Sequence, residues 1–229
     1  MALSTGGVAI VTGAGKVSLI LTPTHVSLSF APYSRQKLTL GIGSGIGKAC
    51  VLAYAAEGAK GVVIADVNYQ TALQTAKESE RLASNKDYKA LAVAVDVTNA
   101  SSVDDMVTAA VESFGRIDYL VNSAGIGVKD HLTIDQVDPA EMNRFWQINI
   151  IGTVNCIKSV TKVMKKQSIA SFTSRGSTRE VGRGVILNLG SANSYMATPE
   201  VSPYVTTKHA VIGLTKSSGE SITRKRRKN

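Results

Sequence analysis

The chain has 229 residues, 44% of them hydrophobic and 19% charged, a balance that suits a globular protein with one sizeable core. Its net charge of +9 is concentrated in two places: Lys16, Arg35 and Lys37 lie in an acid-free stretch, and Arg224, Lys225, Arg226, Arg227 and Lys228 crowd the end. The body between them is close to neutral, which argues against a nucleic-acid partner, and no apolar run reaches the roughly 18 residues that span a membrane.

From Gly7 onward, short apolar runs alternate with longer amphipathic stretches. "GVAIVTG" and "GVVIADV" predict strands buried on both faces of a parallel sheet. Between them "GIGKACVLAYAAEGAK" predicts a helix with a glycine stop at Gly58. There follow "YQTALQTAKESERLAS" as a helix, "YKALAVAVDV" as a strand, and "SSVDDMVTAAVESFG" as a helix with a Ser-x-x-Asp capping signal. "RIDYLVNSAG" closes this half as a fourth strand, and a βαβαβαβ order demands a parallel sheet with right-handed crossovers. The second half predicts one long helix over 139–166, a polar surface loop over 167–184, a strand at "GVILNLGS" and a helix from "PYVTTK". Beyond Lys216 apolar periodicity ends, and 217–229 is expected to be a solvated or disordered tail. One domain over 1–216 is the expectation.

Cys50 and Cys156 sit in apolar helical segments, as free thiols of a reducing compartment would. Three scattered histidines give no metal-ligand spacing, so no metal is expected. The N-terminus lacks the basic region of a signal peptide, and the expected location is the cytoplasm.

Two constellations carry chemistry. A strand, clustered glycines and a helix N-terminus form a device for holding a pyrophosphate, because glycines let backbone N–H groups approach the phosphates. The run here is neither a Walker A loop nor G-x-G-x-x-G. It fits G-x-x-x-G-x-G, either through Gly41, Gly45 and Gly47 or by joining Gly13 to Gly45 and Gly47 across the intervening segment. The second register is preferred, since the first leaves "GVAIVTG" without a role. Asp66 ends the next strand about 20 residues on, where a carboxylate receives ribose hydroxyls and favours NAD over a 2′-phosphorylated cofactor. The second constellation is Ser191, Tyr204 and Lys208. Tyr204 and Lys208 are four apart and share a helix face, where an ammonium makes a phenol fit for general acid/base work.

Taken together, "VTGAG…SGIG", "NSAG" at 122–125, "QIN" with Asn149, "NLGS" with Ser191 and "YVTTK" resemble the short-chain dehydrogenase/reductase family. The resemblance implies a Rossmann-like, doubly wound α/β fold and an NAD(P)-dependent oxidoreductase that moves hydride between nicotinamide C4 and a secondary alcohol or ketone. It implies Tyr204 as acid/base, with Lys208 lowering its pKa and holding the nicotinamide ribose. Ser191 would orient the substrate oxygen, and Asn149 would fix a water in a proton relay. Asp96 would lie near the adenine, Asn122 near the cofactor ribose and Ile46 beside the pyrophosphate. It also implies a homo-oligomer, an expectation that the shortened C-terminus weakens.

The sequence departs from that family twice. Residues 16–43 interrupt the cofactor turn, and the family's C-terminal strands, which build the substrate pocket, are missing after "LTKSSGESITRKRRKN". Both departures look like translated non-coding or mis-spliced sequence. The insert predicts weak cofactor binding, because the phosphate-binding N–H groups must converge without a short tether. Two alternatives to the enzyme therefore stay open: a catalytically impaired binding protein on the same scaffold, and an unstable fragment. Substrate identity is not legible.

Overall fold

A computed structural model of the chain describes residues 6–14, 45–174 and 176–223. The expected insertion at 16–43 and the basic run Arg224–Lys228 lie outside these residues.

The central sheet is parallel, as the alternation requires. Its strands are β1 (Val8–Thr12), β2 (Gly61–Asp66), β3 (Lys89–Ala94), β4 (Tyr119–Asn122) and β7 (Val185–Asn188), in the order β3-β2-β1-β4-β7. Each connection between the first four strands is a helix: α1 (Ile46–Ala56), α2 (Tyr69–Leu82) and α3 (Ala100–Phe114). β1 occupies the centre, with Ile10 opposite Val63 of β2 and Leu120 of β4. Because side chains alternate along a strand, β1 serves two cores. Ile10, Val63 and Leu120 pack with Val103 and Met106 of α3, and with Cys156 and Val160 of a later helix. Ala9, Val11, Val62 and Ile64 pack on the other face with Val51 of α1 and Ala72 and Ala76 of α2. Every one of these side chains is at least 95% removed from solvent, and burial of each larger one is worth roughly 1.5–3 kcal/mol.

The structure corrects four expectations. The cap of α3 is Asn99, whose side-chain oxygen accepts the N–H groups of Ser101 and Ser102, rather than a serine within the segment. Asparagine offers a side-chain acceptor two residues before Ser101, where the backbone is still extended. The long helix over 139–166 is three pieces: α4 (Pro139–Trp146), a π-helical stretch (Gln147–Ile151) and α5 (Gly152–Met164). Apolar periodicity cannot register one extra residue in a turn. The expected loop at 167–184 holds an antiparallel hairpin, β5 (Ala170–Ser174) with β6 (Ser177–Gly182), turning at Gly176 with φ +79°. β6 is exposed throughout, so no hydrophobic alternation announces it. At the hairpin's base the Gln167 amide spans the Ile117 backbone, accepting its N–H at 2.7 Å and donating to its carbonyl at 2.9 Å. Finally, α6 (Ser202–Thr223) runs past Lys216. An established helix gains one backbone hydrogen bond per added residue and needs no apolar face to continue.

No described helix is long and apolar enough to cross a membrane.

Candidate functional site

The strand order reverses between β1 and β4, and ligands of open α/β sheets bind beyond the carboxyl ends of the strands at such a reversal. Gly13, Asp66, Asp96 and Asn122 end or follow strands β1 to β4 and Gly45, Ile46 and Gly47 open α1, whereas Asn149 lies within the π-helical stretch and Lys208 in the second turn of α6.

Gly13 follows β1 with φ +64°, a conformation that glycine adopts at little cost. A Cβ on Gly13 would lie 2.6 Å from the Cα and N of Ala124, so the turn crosses the β1/β4 crevice in contact with the chain after β4. Gly47, in the first turn of α1, rests on the same turn: its Cβ would lie 2.5 Å from the Gly13 carbonyl oxygen and 3.1 Å from Ala14 Cα. The two glycine clusters therefore meet, although residues 14 and 45 are far apart in sequence. Gly45 caps α1 in the left-handed region at φ 68° with no side-chain hydrogen bond, and no acidic residue follows in the first turn. Ile46, at the first helical position, is 58% exposed. The start of α1 thus has the small, uncapped N-terminus that an anionic group needs for close approach.

Asp66 ends β2, and its carboxylate accepts the Asn68 N–H at 2.9 Å. Asp96 is exposed, and one carboxylate oxygen accepts both the Thr98 N–H at 2.9 Å and its hydroxyl at 2.7 Å, the bonds of a turn residue. Asn122 is buried at the end of β4 and donates to Asn188 Oδ1 at 2.8 Å; Asn188 in turn donates to Thr215 on α6. Its own Oδ1 has no partner among the described residues.

Across the crevice stand the acid/base candidates. Ser191 opens a single 3₁₀ turn (Ala192–Ser194) that packs on α6. Its Oγ accepts the Asn193 N–H at 3.2 Å, and its own N–H goes to Ser194 Oγ. Tyr204 and Lys208 share a face of α6, with Lys208 Nζ 5.6 Å from the centre of the Tyr204 ring. Lys208 Nζ donates to the Leu189 carbonyl at 2.8 Å, which ties α6 to the segment leading into Ser191. Burial pushes the Lys208 pKa below its ordinary value, because the charged form loses water.

Asn149 lies in the π-helical stretch, 2% exposed. Its amide accepts the Ile126 N–H at 2.8 Å and donates to the Ile126 carbonyl at 3.1 Å and to Thr207 Oγ1 at 3.0 Å. Reasoning from the sequence missed Thr207 and Ile126. Thr207 was within reach, since a residue three after Tyr204 shares its helix face; Ile126 had no signal. A cavity of about 380 Å³ lined by Ile157, Thr161 and Ser217 lies elsewhere, about 20 Å along α6 from Tyr204. Among the described residues, no group of three or more His, Cys, Asp or Glu is placed to hold a metal ion.

The family described as short chain dehydrogenase matches residues 37–226. Among curated relatives, short-chain dehydrogenase anuF of Penicillium roqueforti is 58% identical over 95% of this chain. Short-chain dehydrogenase fogB of Aspergillus ruber is 41% identical over 78%, and a sorbitol dehydrogenase of Cereibacter sphaeroides is 35% identical over 82%. The matches span 69%, 66% and 64% of those relatives' own lengths. Among solved structures, a short chain dehydrogenase from Mycobacterium smegmatis superposes with TM-score 0.72 at 23% identity, covering 97% of this chain and 72% of its own. That likeness establishes the doubly wound fold; together with the sequence matches, it shows that the chain belongs to the short-chain dehydrogenase family.

Proposed function

We propose that the protein is an NAD(P)-dependent oxidoreductase acting on a secondary alcohol or the corresponding ketone. The observation that carries this reading is the contact of Gly47 with the Gly13 carbonyl at the uncapped start of α1, a cradle that any Cβ would fill. Gly13, Gly45, Ile46 and Gly47 would hold the pyrophosphate there. Asp66, ending β2, would take the adenosine ribose hydroxyls, which favours NAD; Asn122 and Asp96 would line the ribose and adenine sides. The bound dinucleotide would supply or accept hydride at nicotinamide C4.

The chain's own residues handle the proton. In the direction of reduction, Tyr204 gives its phenolic proton to the carbonyl oxygen as the carbonyl carbon gains hydride; in oxidation it takes the proton back. Ser191 Oγ accepts the Asn193 N–H, so its own hydrogen is left to orient the substrate oxygen. Lys208, held by the Leu189 carbonyl beside the Tyr204 ring, stabilises negative charge on the phenol oxygen and would reach the nicotinamide ribose. Asn149 would fix a water in the path that the proton follows.

The test is fluorescence titration with NADH and NADPH, followed by turnover of a panel of secondary alcohols that includes sorbitol. Although an insert at 16–43 would by itself weaken the site, Gly47 and Gly13 still meet, so micromolar NADH affinity is expected. Tyr204→Phe should lose about 100-fold or more in turnover and keep its NADH affinity. Failure to bind either dinucleotide would sink the cofactor reading, and unchanged turnover in the variant would sink the role of Tyr204.

A further inference from the structure

We propose that Thr207 is a positioning residue that links the glycine cradle to Tyr204. This rests on the reading of Tyr204 as the acid/base. Thr207 is 1% exposed, and its hydroxyl donates to the Tyr204 carbonyl at 2.9 Å while accepting from Asn149 Nδ2 at 3.0 Å.

A buried threonine in a helix often bonds a carbonyl of the preceding turn, and that bond alone carries no function. The second bond distinguishes Thr207, because its direction is dictated. Asn149 Oδ1 must face the Ile126 N–H, and Nδ2 must face the Ile126 carbonyl, so the amide has one orientation. Its remaining hydrogen then points at Thr207, whose hydroxyl has to accept it and spend its own hydrogen on Tyr204. Beyond Ile126 the chain is packed just as closely: a Cβ on Gly125 would meet Asn149 Oδ1 at 3.1 Å, and Ala124 is the residue against which Gly13 turns. One connected path thus runs from Gly13 through Ala124, Ile126, Asn149 and Thr207 to Tyr204. It adds a polar connection between the acid/base and the turn that would hold the cofactor, beside the β1–β4 ladder and the Ala124–Thr12 bond at the cradle and the Lys208–Leu189 bond at the helix.

The decisive comparison sets Thr207→Val, which keeps the shape without the hydroxyl, beside Thr207→Ser, which keeps the hydroxyl. An orphaned amide donor should lower kcat about 10- to 100-fold in Thr207→Val, with KM and NADH affinity within about 3-fold of the parent. Thr207→Ser should restore kcat to within about 3-fold and return the pH profile of kcat to the parent's. If Thr207→Val fails to fold, the pair Thr207→Ser and Thr207→Ala carries the same comparison. A parent-like kcat and pH profile in the hydroxyl-free variant overturns the role of Thr207 alone, as does failure of serine to rescue. A wild-type chain that binds dinucleotide but transfers no hydride overturns the proposed function, and this role with it.

Discussion

β1 and β7 look alike in sequence, as "VAIVT" and "VILN", yet the structure treats them differently. Every residue of β1 is at most 2% exposed, because α3 and α5 cover one face and α1 and α2 the other. On β7, Ile186 packs against the core shared with α5, whereas Val185 and Leu187 are 45% and 47% exposed. Their register shows where cover ends: Val185 lies opposite Tyr119, and Tyr119 is the position that the Tyr54 ring of α1 still reaches, at 5.4 Å between centroids. On the face of Val185 and Leu187 the cover ends there, whereas on β7 as a whole α5 still packs on Ile186 and α6 still reaches Asn188 through Thr215. An apolar run identifies a strand, but the number of its buried faces belongs to other elements.

The largest effect should come from breaking the covered strand. Ile10→Ala should cost about 2–5 kcal/mol in denaturant unfolding, against less than about 1 kcal/mol for Leu187→Ala. Equal costs would mean that the outer face of β7 is covered in solution. Next, Gly13→Ala forces a side chain into a left-handed conformation against Ala124. A loss of roughly 1–3 kcal/mol in stability is expected, together with loss of NADH affinity in the titration. On the uncovered side, Leu187→Lys should leave stability within about 0.5–1 kcal/mol and reduce self-association in sedimentation, since a charge on an open edge disfavours pairing. Greater aggregation after this change would contradict the comparison.

The boundary itself titrates. Burial is the main cause that pushes the Tyr54 hydroxyl from 10.0 up to about 12, with Tyr119 adding to it. The folded chain therefore holds this proton where the unfolded chain has lost it. The associated stability is complete below pH 10 and drains away between pH 10 and about 12. Tyr54→Phe should flatten that part of the pH–stability curve, and an unaltered slope would place the loss elsewhere. The smallest effect concerns thiols. Cys156, 1% exposed beneath the β1 face and pushed up to about 12 by burial, should label only on unfolding, while the partly buried Cys50 labels slowly in the native state.

Much of this molecule could be read from its residues, for physical reasons that also mark the limit. β1 and β2 were legible because strands buried on both faces must be apolar throughout, β3 and β4 because they continue the alternation with amphipathic helices, and α1 because Gly45, Gly47 and Gly58 punctuate it. Tyr204 and Lys208 were legible because a helix puts residues four apart together. Asp96 illustrates a residue whose type allows two roles, and in the structure its carboxylate holds the turn at Thr98. The link from Asn149 to Thr207 was out of reach, since it spans 58 residues and depends on a π-helical stretch that no periodicity reports. The β5–β6 hairpin was missed for the opposite reason: exposed strands need no pattern at all.

The meeting of Gly47 with Gly13 also bears on how the molecule holds itself together. Among the described residues, each side of that contact is held by its own neighbours in the sheet. β1 is fastened by its hydrogen bonds to β2 and β4, and α1 by its own packing against β1, β2 and α2. A substitution that loosens either β1 or α1 would therefore open the cradle from a distance, even where it touches neither glycine.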